Sequence, residues 1–423
     1  MASTRELLGG LERFGIRLGL DHLKDLTAAL GSPQLATPSI LVAGTNGKGS
    51  VSSLIASIAE AAKLETGLYT SPHLESVTER IRIAGAAISE KALGEELTDV
   101  LSAAQRLGHA SPTYFEALTL AAFRYFAAQR IDLAVLEVGM GGRLDATNLA
   151  DPGLSVITSI ALDHQEWLGS SLQAIAREKA GVLRPSRPAI VAPQVPEARD
   201  ELTRIAQQIG ATWVAVDHQV TNLEIRFRGL AGLELSLTTR DATYDLRSAL
   251  AGRHQAWNIA TAVVAAERFA DSGMPAISPE EIAEGVSRCR WPGRLEPMAL
   301  GGSRTTVLLD AAHNPAGCAA LVDFLDELDR PFTLLFGALA DKDLAAMLPS
   351  LAIRANRVVL SRPLSDRAAD PAALLELIPP GIDVVVEPDV AAALTLALAG
   401  QPELVVACGS IFLIGALRAL ISG

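Results

Sequence analysis

The run Ser39-Ile-Leu-Val-Ala43 leads directly into Gly44-Thr-Asn-Gly-Lys-Gly-Ser50, and a helix-patterned stretch follows from Val51 to Ala62. Strand, glycine-rich turn and helix in that order restrict the fold more than any other feature, because they are the parts of a phosphate cradle at one edge of a parallel sheet. Glycines let the backbone approach phosphates, while loop amides and the helix N-terminus supply positive potential. Lys48 would put a point charge on the terminal phosphates, and Ser50 offers a hydroxyl near a metal. The spacing departs from a Walker A loop: two residues separate Gly44 from Gly47-Lys48, and Gly49 stands between the lysine and Ser50. A plain strand-to-helix turn is the other reading of these letters. The strand before and the helix after favour the cradle, and with it ATP.

The pattern around this loop repeats. Strands are expected at Ser39–Ala43, Glu65–Tyr69, Leu133–Val138, Leu154–Ile160 and Ala189–Ala192, with helices at Ser50–Lys63, Glu90–Leu107, Tyr114–Gln129 and Leu172–Ala180. This is the βαβ rhythm of a parallel sheet. Residues 1–38 carry helical periodicity, with a turn-like Gly15–Asp21 in between. From Trp213 to Leu246 short alternating strands predict an antiparallel appendage on the sheet edge. Arg290-Trp-Pro-Gly-Arg294 reads as an interdomain linker, since Pro292-Gly293 cannot continue a helix. After it the rhythm restarts with Thr306–Asp310, Thr333–Gly337, Arg357–Ser361, Ile382–Glu387 and Leu404–Cys408. The expected fold is α/β: a P-loop parallel-sheet domain over residues 1–294 and a smaller Rossmann-like α/β domain over 295–423.

A chain of 423 residues suits two domains. Its net charge of −12 argues against a nucleic-acid partner, and its 4% aromatic content leaves few stacking platforms. Apolar stretches are broken before they could span a bilayer, the N-terminus lacks a signal-peptide layout, and the three cysteines have no ligand or disulfide spacing. The expectation is a soluble, cytoplasmic protein with small-molecule partners, no membrane and no nucleic acid.

Polar groups gather at the strand ends. Glu137 closes an apolar strand, and Gly139, Gly141 and Gly142 follow it; a carboxylate there suits Mg²⁺, which takes one or two carboxylates plus phosphate oxygens. His164 follows another strand end in Thr158-Ser-Ile-Ala-Leu-Asp-His164 and is either a neutral-imidazole metal ligand or a hydrogen-bonded structural residue. Lys179 reads as a solvated helix lysine on pattern alone. Asp310, in Asp310-Ala-Ala-His-Asn-Pro315, closes the first strand of the second domain, where an acidic group often meets a ribose hydroxyl.

In order along the chain stand G-T-N-G-K-G-S, T-S-P-H-L, E-R-I, T-Y-F-E, E-V-G-M-G-G-R-L-D-A-T-N, L-D-H-Q, R-E-K-A-G, W-P-G-R, D-A-A-H-N-P and C-G-S-I-F-L-I-G. This series resembles the folylpolyglutamate synthase/dihydrofolate synthase family of the Mur ligase superfamily, from about residue 18 to the C-terminus. The resemblance implies an ATP-dependent ligase that phosphorylates the carboxylate of a pterin-bearing acid and lets the amino group of L-glutamate attack the acyl phosphate. It implies that Asn46, Gly47, Lys48 and Gly49 cradle the phosphates, and that Ser71, Glu137 and His164 hold Mg²⁺, the metal role passing from Ser50 to Ser71. Lys179 matches a lysine that is carbamylated in many relatives, and Asn258, Arg294 and Asp310 match ATP contacts. Leu18, Gly19, Leu20 and Asp21, then Thr113, Tyr114, Phe115 and Glu116, then Leu144, Asp145 and Ala146 align with the pterin-acid pocket. His313 and Ser410 fall on the glutamate side. The family's usual state is a monomer. Two other readings stay open: a peptidoglycan-precursor Mur ligase, and a P-loop ATPase or binding switch that needs no acid or amine.

Overall fold

The computed structural model describes residues 4–11, 15, 17, 19–300 and 304–422. Leu18 lies outside the described residues. The first half is built on an eight-stranded sheet: β1 Ser39–Ala43, β2 Thr66–Tyr69, β3 Ile81–Ile83, β4 Ala86–Ala87, β5 Leu133–Glu137, β6 Leu154–Ile157, β7 Pro188–Val191 and β8 Thr212–Ala215. Their spatial order is β4-β3-β2-β5-β1-β6-β7-β8, parallel except for the short β3–β4 edge. The chain fills one side of β1 with β2 and β5, then crosses to the other side for β6 to β8. Strand order therefore reverses beside β1, which opens a crevice at the carboxyl ends of β1, β5 and β6.

β1 is buried along its whole length because both its faces are covered. Leu41 points into a core shared with Leu97 and Val100 of helix Glu90–Leu107 and Phe126 of helix Tyr114–Gln129. Ile40 and Val42 point into the opposite core, with Leu54 and Ile58 of helix Lys48–Ala61, Val263 of helix His254–Glu267 and Val286 of helix Pro279–Arg288. Local signals set the helix limits. The Ser89 hydroxyl accepts from the Ala92 amide at one N-terminus, Gly108 in the left-handed region closes that helix, and Thr113 with Glu116 forms a capping box for the next.

The expected edge appendage is corrected by the structure. Trp213 lies in β8, a parallel edge strand, while β9 Val220–Phe227, β10 Leu233–Thr239 and β11 Thr243–Ser248 form a separate antiparallel sheet. Their alternation puts Leu233, Leu235, Leu237, Tyr244 and Leu246 on one buried face, which packs on the helical layer instead of hydrogen bonding to β8.

Arg290 to Leu295 then lead into a six-stranded sheet: β12 Glu296–Ala299, β13 Thr306–Leu309, β14 Thr333–Phe336, β15 Arg357–Leu360, β16 Val384–Val386 and β17 Leu404–Cys408, in the order β12-β13-β17-β14-β15-β16. The five expected strands are present and parallel; β12 is an additional antiparallel edge strand. Helices Pro315–Leu328 and Leu344–Ala352 cover one face, and Val390–Ala397 and Ile411–Ser422 the other. Among the described residues no helix is long and apolar enough to cross a membrane.

Candidate active site

The phosphate loop forms because the turn out of β1 demands it. Gly47 sits at φ +85°, and a Cβ there would meet the Asn258 side-chain oxygen at 2.5 Å. The Thr45 and Asn46 amides donate to the Ser159 carbonyl at 2.8 and 3.3 Å, tying the loop to the segment after β6. Lys48 opens the helix, and its Nζ donates to the Thr45 carbonyl at 3.2 Å. The Ser50 hydroxyl accepts from Gln255 Nε2 at 3.4 Å, and Gln255 in turn accepts from Asn258 Nδ2 at 2.9 Å.

Glu137, at the end of β5, is buried, and its Oε2 accepts from the Ser71 amide at 3.1 Å. Burial raises its carboxyl above the usual range, against the pull of Lys48, the Ser71 amide, Arg294 and Arg80. The loop that follows is clamped to the end of helix Leu172–Lys179. The Arg143 amide donates to the Glu178 carbonyl at 2.8 Å, and a Cβ on Gly142 would come within 2.9 Å of that same oxygen. Lys179 is thereby held inside: it is buried, and its Nζ donates to the Gly44 carbonyl at 2.6 Å. Burial, then the charge of Lys48, lowers its pKa from 10.5 to about 7. The solvated-lysine reading is therefore overturned.

His164 is a non-glycine residue at φ +50° that starts a short helix. Burial lowers its pKa, and the neighbouring cations Lys342, Lys48 and Lys179 add to this against Asp163, so its imidazole is neutral. Asp163 bonds across the cleft to the second half of the chain. Its Oδ1 lies 2.9 Å from Lys342 Nζ and its Oδ2 accepts from Asn314 Nδ2 at 3.2 Å. The same Asn314 group donates to the Asn46 side-chain oxygen at 2.9 Å. Burial opposes ionisation of Asp163, but His164, Lys342 and His313 hold its carboxyl well below the usual range. Neither Asp163, Lys342 nor Asn314 stood among the sequence candidates. Asp163 and Lys342 are 179 positions apart, and no local pattern marks the pair.

Asp310 accepts from the Leu295 amide through Oδ2 and the Ala312 amide through Oδ1, both at 2.9 Å, and so pins the linker to the end of β13. His313 donates from Nδ1 to the Ala311 carbonyl at 2.8 Å, which leaves Nε2 as a lone pair, 3.7 Å from Asp163. Burial lowers its pKa to about 4.

Two cavities result. One, of about 430 Å³, is lined by the phosphate loop, Glu137, Lys179, Asn258, Arg294, Asp310 and His313. The other, of about 480 Å³, has Phe115, Leu144 and Ala146 on its walls, together with Thr113, Glu116, Asp145 and Ser410. They meet at Ser71, His164, Arg294 and His313, which line both. The sequence series matches the Mur ligase middle domain over residues 42–266 and the Mur ligase glutamate ligase domain over residues 293–411. The chain belongs to the Mur ligase family. It is 36% identical over 348 residues to the folylpolyglutamate synthase of Lacticaseibacillus casei, covering 80% of each chain. It is 34% identical over 362 residues to the dihydrofolate synthase/folylpolyglutamate synthase of Bacillus subtilis, covering 84% of this chain and 83% of that one. A probable bifunctional folylpolyglutamate synthase/dihydropteroate synthase of Halobacterium salinarum is 36% identical over 96% of this chain, which spans half of that longer protein. Among solved structures, E. coli FolC in complex with DHPP and ADP superposes with a TM-score of 0.88 at 32% identity, over 100% of this chain and 98% of that one. The Yersinia pestis bifunctional synthase with Mn, AMPPNP and L-glutamate gives 0.85 at 31%, over 100% and 99%. This Mur ligase is thus an ATP- and divalent-metal-dependent ligase of the folylpolyglutamate synthase/dihydrofolate synthase branch.

Several expected residues of this ligase stand elsewhere than in the cleft. Gly19, Leu20 and Asp21 line neither cavity; Leu20 packs against the core and Asp21 is exposed beside Lys24. Tyr114 also lies outside both, under the Arg80 guanidinium at 5.3 Å from its ring centre. Asp145 borders the second cavity, yet its oxygens already accept from the Thr147 amide and hydroxyl and the Met140 amide at 3.0, 2.6 and 2.9 Å. It staples the loop. Glu116 is similarly held, accepting from the Thr113 amide at 2.7 Å and touching His22 Nε2 at 3.0 Å. Among the described residues no cluster of three or more His, Cys, Asp or Glu could cage a metal unaided. Ser71, Glu137 and His164 offer a hydroxyl, a carboxylate and a neutral imidazole. That set fits an ion completed by phosphate oxygens and water, as Mg²⁺ prefers.

Proposed function

We propose that this ligase adds L-glutamate to dihydropteroate, to a (tetrahydro)folate, or to both, through an acyl phosphate. The observation that carries the reading is the junction itself: a phosphate-binding cavity and a partly apolar cavity share Ser71, His164, Arg294 and His313. A nucleotide in the first and the carboxylate end of a pterin acid in the second would meet there. Asn46, Gly47, Lys48 and Gly49 would hold the phosphates, with Asn258, Arg294 and Asp310 on the rest of the nucleotide. Phe115, Leu144 and Ala146 supply apolar contact for a ring system. Ser71, Glu137 and His164 would hold Mg²⁺, which supplies charge neutralisation at the phosphoryl oxygens.

The acid's carboxylate oxygen attacks the γ-phosphorus, ADP leaves, and an acyl phosphate forms; the glutamate amine then attacks its carbonyl carbon and phosphate leaves. Lys48 and Arg294 offset charge on the transferring group. His313 Nε2 accepts a hydrogen bond from the amine. With its pKa lowered to about 4, His313 orients that amine, and the proton the nitrogen gives up on forming the amide leaves with the departing phosphate. Ser410 precedes helix Ile411–Ser422 and borders the second cavity; its hydroxyl oxygen accepts from the Phe412 amide, so its O–H proton is what it would donate to a glutamate carboxylate. A carbamylated Lys179 would replace a buried cation with an anion facing the metal, and its lowered pKa supports the neutral amine which that chemistry needs.

The division into residues 1–294 and 295–423 is supported by the two separate sheets and by the linker held at Leu295. Three free, buried cysteines favour a reducing cytoplasm. Phosphate release with ATP tests the reading across dihydropteroate or tetrahydrofolate with L-glutamate, and across a muramoyl nucleotide with amino acids. Release that requires a pterin acid and glutamate together supports it. Release without either, or only with the muramoyl nucleotide, refutes it.

A further inference from the structure

The cavity bordered by Phe115 and Leu144 also carries charge that nothing in the fold uses. Arg17, ahead of helix Asp21–Ala29, and Arg367, in the loop after β15, both line it. Neither guanidinium has an ion-pair or hydrogen-bond partner among the described residues; Arg367 is engaged only through its backbone, with Ser365 and Ala340. The other cations of this cavity are committed. Lys342 pairs with Asp163, Arg80 donates to His73 Nδ1 at 3.0 Å, and Arg294 stands beside the buried Glu137 and Asp310. Of the cavity's carboxylates, Glu116 is bonded to the Thr113 amide and His22, and Asp145 to its own loop, so among the described residues only the exposed Asp341 stands against the two arginines. In a chain of net charge −12, two unpaired arginines contributed by opposite halves of the sequence to one cavity point to an anionic ligand.

The shape of the reaction says which anion. The reacting carboxylate has to reach Ser71, His164 and Arg294, while a ring system is held against Phe115 and Leu144. Phe115, Leu144, Ser71, His164 and Arg294 all line this one cavity of about 480 Å³. Each γ-linked glutamate already on the acid adds chain between ring and reacting end, and each added unit carries one free α-carboxylate. The surplus chain has to bow outward, and its α-carboxylates come to the cavity wall. We infer that Arg17 and Arg367 form a subsite for the α-carboxylates of an oligo-γ-glutamate tail, so that substrates already carrying glutamates bind more tightly than those with one. The inference rests on the proposed function for the identity of the acid. Partly solvated guanidinium–carboxylate contacts lower KM by about two- to fivefold each and weaken with salt.

The test is KM for tetrahydropteroyl mono-, di- and triglutamate at low and high salt, in the parent enzyme, in Arg17→Gln/Arg367→Gln and in Arg17→Lys/Arg367→Lys. The parent KM should fall roughly three- to tenfold from mono- to triglutamate at low salt, and the gap should close at high salt. The glutamine pair should close the gap already at low salt, and the lysine pair should retain part of it. The ratio between tail lengths is read within each protein, so a general loss of folded enzyme does not mimic the effect. A parent enzyme blind to tail length, or a glutamine pair that keeps the parent's ratio, overturns the subsite alone. Failure to glutamylate any of the three acids refutes the functional reading and the subsite together.

Discussion

Lys179 is the residue whose surroundings make the sharpest quantitative demand. It is buried, donates to the Gly44 carbonyl, and has a pKa lowered from 10.5 to about 7 by burial and by Lys48. In the unfolded chain the amine binds a proton below pH 10.5; in the folded protein it does so only below about pH 7. Between those limits the unfolded state holds more protons, so this residue makes stability rise with pH by about 1.4 kcal/mol per pH unit. Over the whole window the burden comes to on the order of 5 kcal/mol, present in full below pH 7 and absent above 10.5. Lys179→Met keeps the volume and removes the titration. After loss of one hydrogen bond, about 1 kcal/mol, the variant should be more stable than the parent near pH 7 by about 3 to 4 kcal/mol, with turnover lost. The assay is urea unfolding from pH 6.5 to 9.5 in carbon-dioxide-free buffer, read as the difference between the two proteins. That difference should shrink with rising pH and change sign near the upper end. Parallel stability curves would refute the buried-amine argument. Added bicarbonate should raise the parent's stability and its turnover where the amine is neutral, because carbamylation consumes the neutral amine of the folded state.

Glu137→Gln preserves shape and the bond from the Ser71 amide, so it should leave the melting temperature unchanged or higher while lowering Mg²⁺-dependent turnover by on the order of a hundredfold or more; a near-normal rate removes Glu137 from the metal site. Arg294→Ala should lower kcat/KM for ATP by roughly a hundredfold with little change in melting temperature, and a purely thermal defect contradicts its role at the junction. Gly285 lies where helix Pro279–Arg288 crosses helix Lys48–Ala61, and a Cβ there would overlap the backbone of Ile58. Gly285→Ala should cost about 2–3 kcal/mol in denaturant unfolding; an unchanged midpoint shows that the crossing can spread without strain. Asp163→Ala leaves the Lys342 ammonium buried without its partner and should cost on the order of 3 kcal/mol, whereas a loss within error places that pair in solvent.

The sheet and the phosphate loop were legible because their signals are local. An apolar run buried on both faces, as in β1, cannot be anything but a central strand once a glycine turn and an amphipathic helix follow it. Helices Glu90–Leu107 and Tyr114–Gln129 stand at their expected limits because Ser89, Gly108 and the Thr113–Glu116 box mark them in the sequence. The separate three-stranded sheet was misplaced for the complementary reason. Alternation reveals that Leu233, Leu235 and Leu237 share a buried face, but not whether that face packs on helices or extends a neighbouring ladder. Lys179 escaped pattern reasoning because its burial depends on Gly142 and the Arg143–Glu178 contact, which join segments far apart in the chain. Asp145 is the reverse case: family likeness assigned it to the substrate, while its hydrogen bonds go to its own loop.

The charges in the cleft give a physical reason for the divalent metal to enter with the nucleotide on the proposed reading. Of the cations where the two cavities meet, Lys342 of the second is tied to Asp163 and Lys179 of the first is close to neutral at pH 7. Lys48 and Arg294 remain, and both also stabilise Glu137. Two committed cations cannot balance a triphosphate and a carboxylate together, so a divalent ion has to enter with the phosphates. Ser71, Glu137 and His164, the proposed ligands, are too few to hold that ion by themselves; burial is what raises the Glu137 carboxyl, against the pull of Lys48. The Asp163 to Lys342 and Asn46 to Asn314 contacts meanwhile hold the second half of the chain over the phosphate loop. They place His313 beside Ser71, His164 and Arg294, the residues both cavities share, where the proposed reading brings acid, nucleotide and amine together.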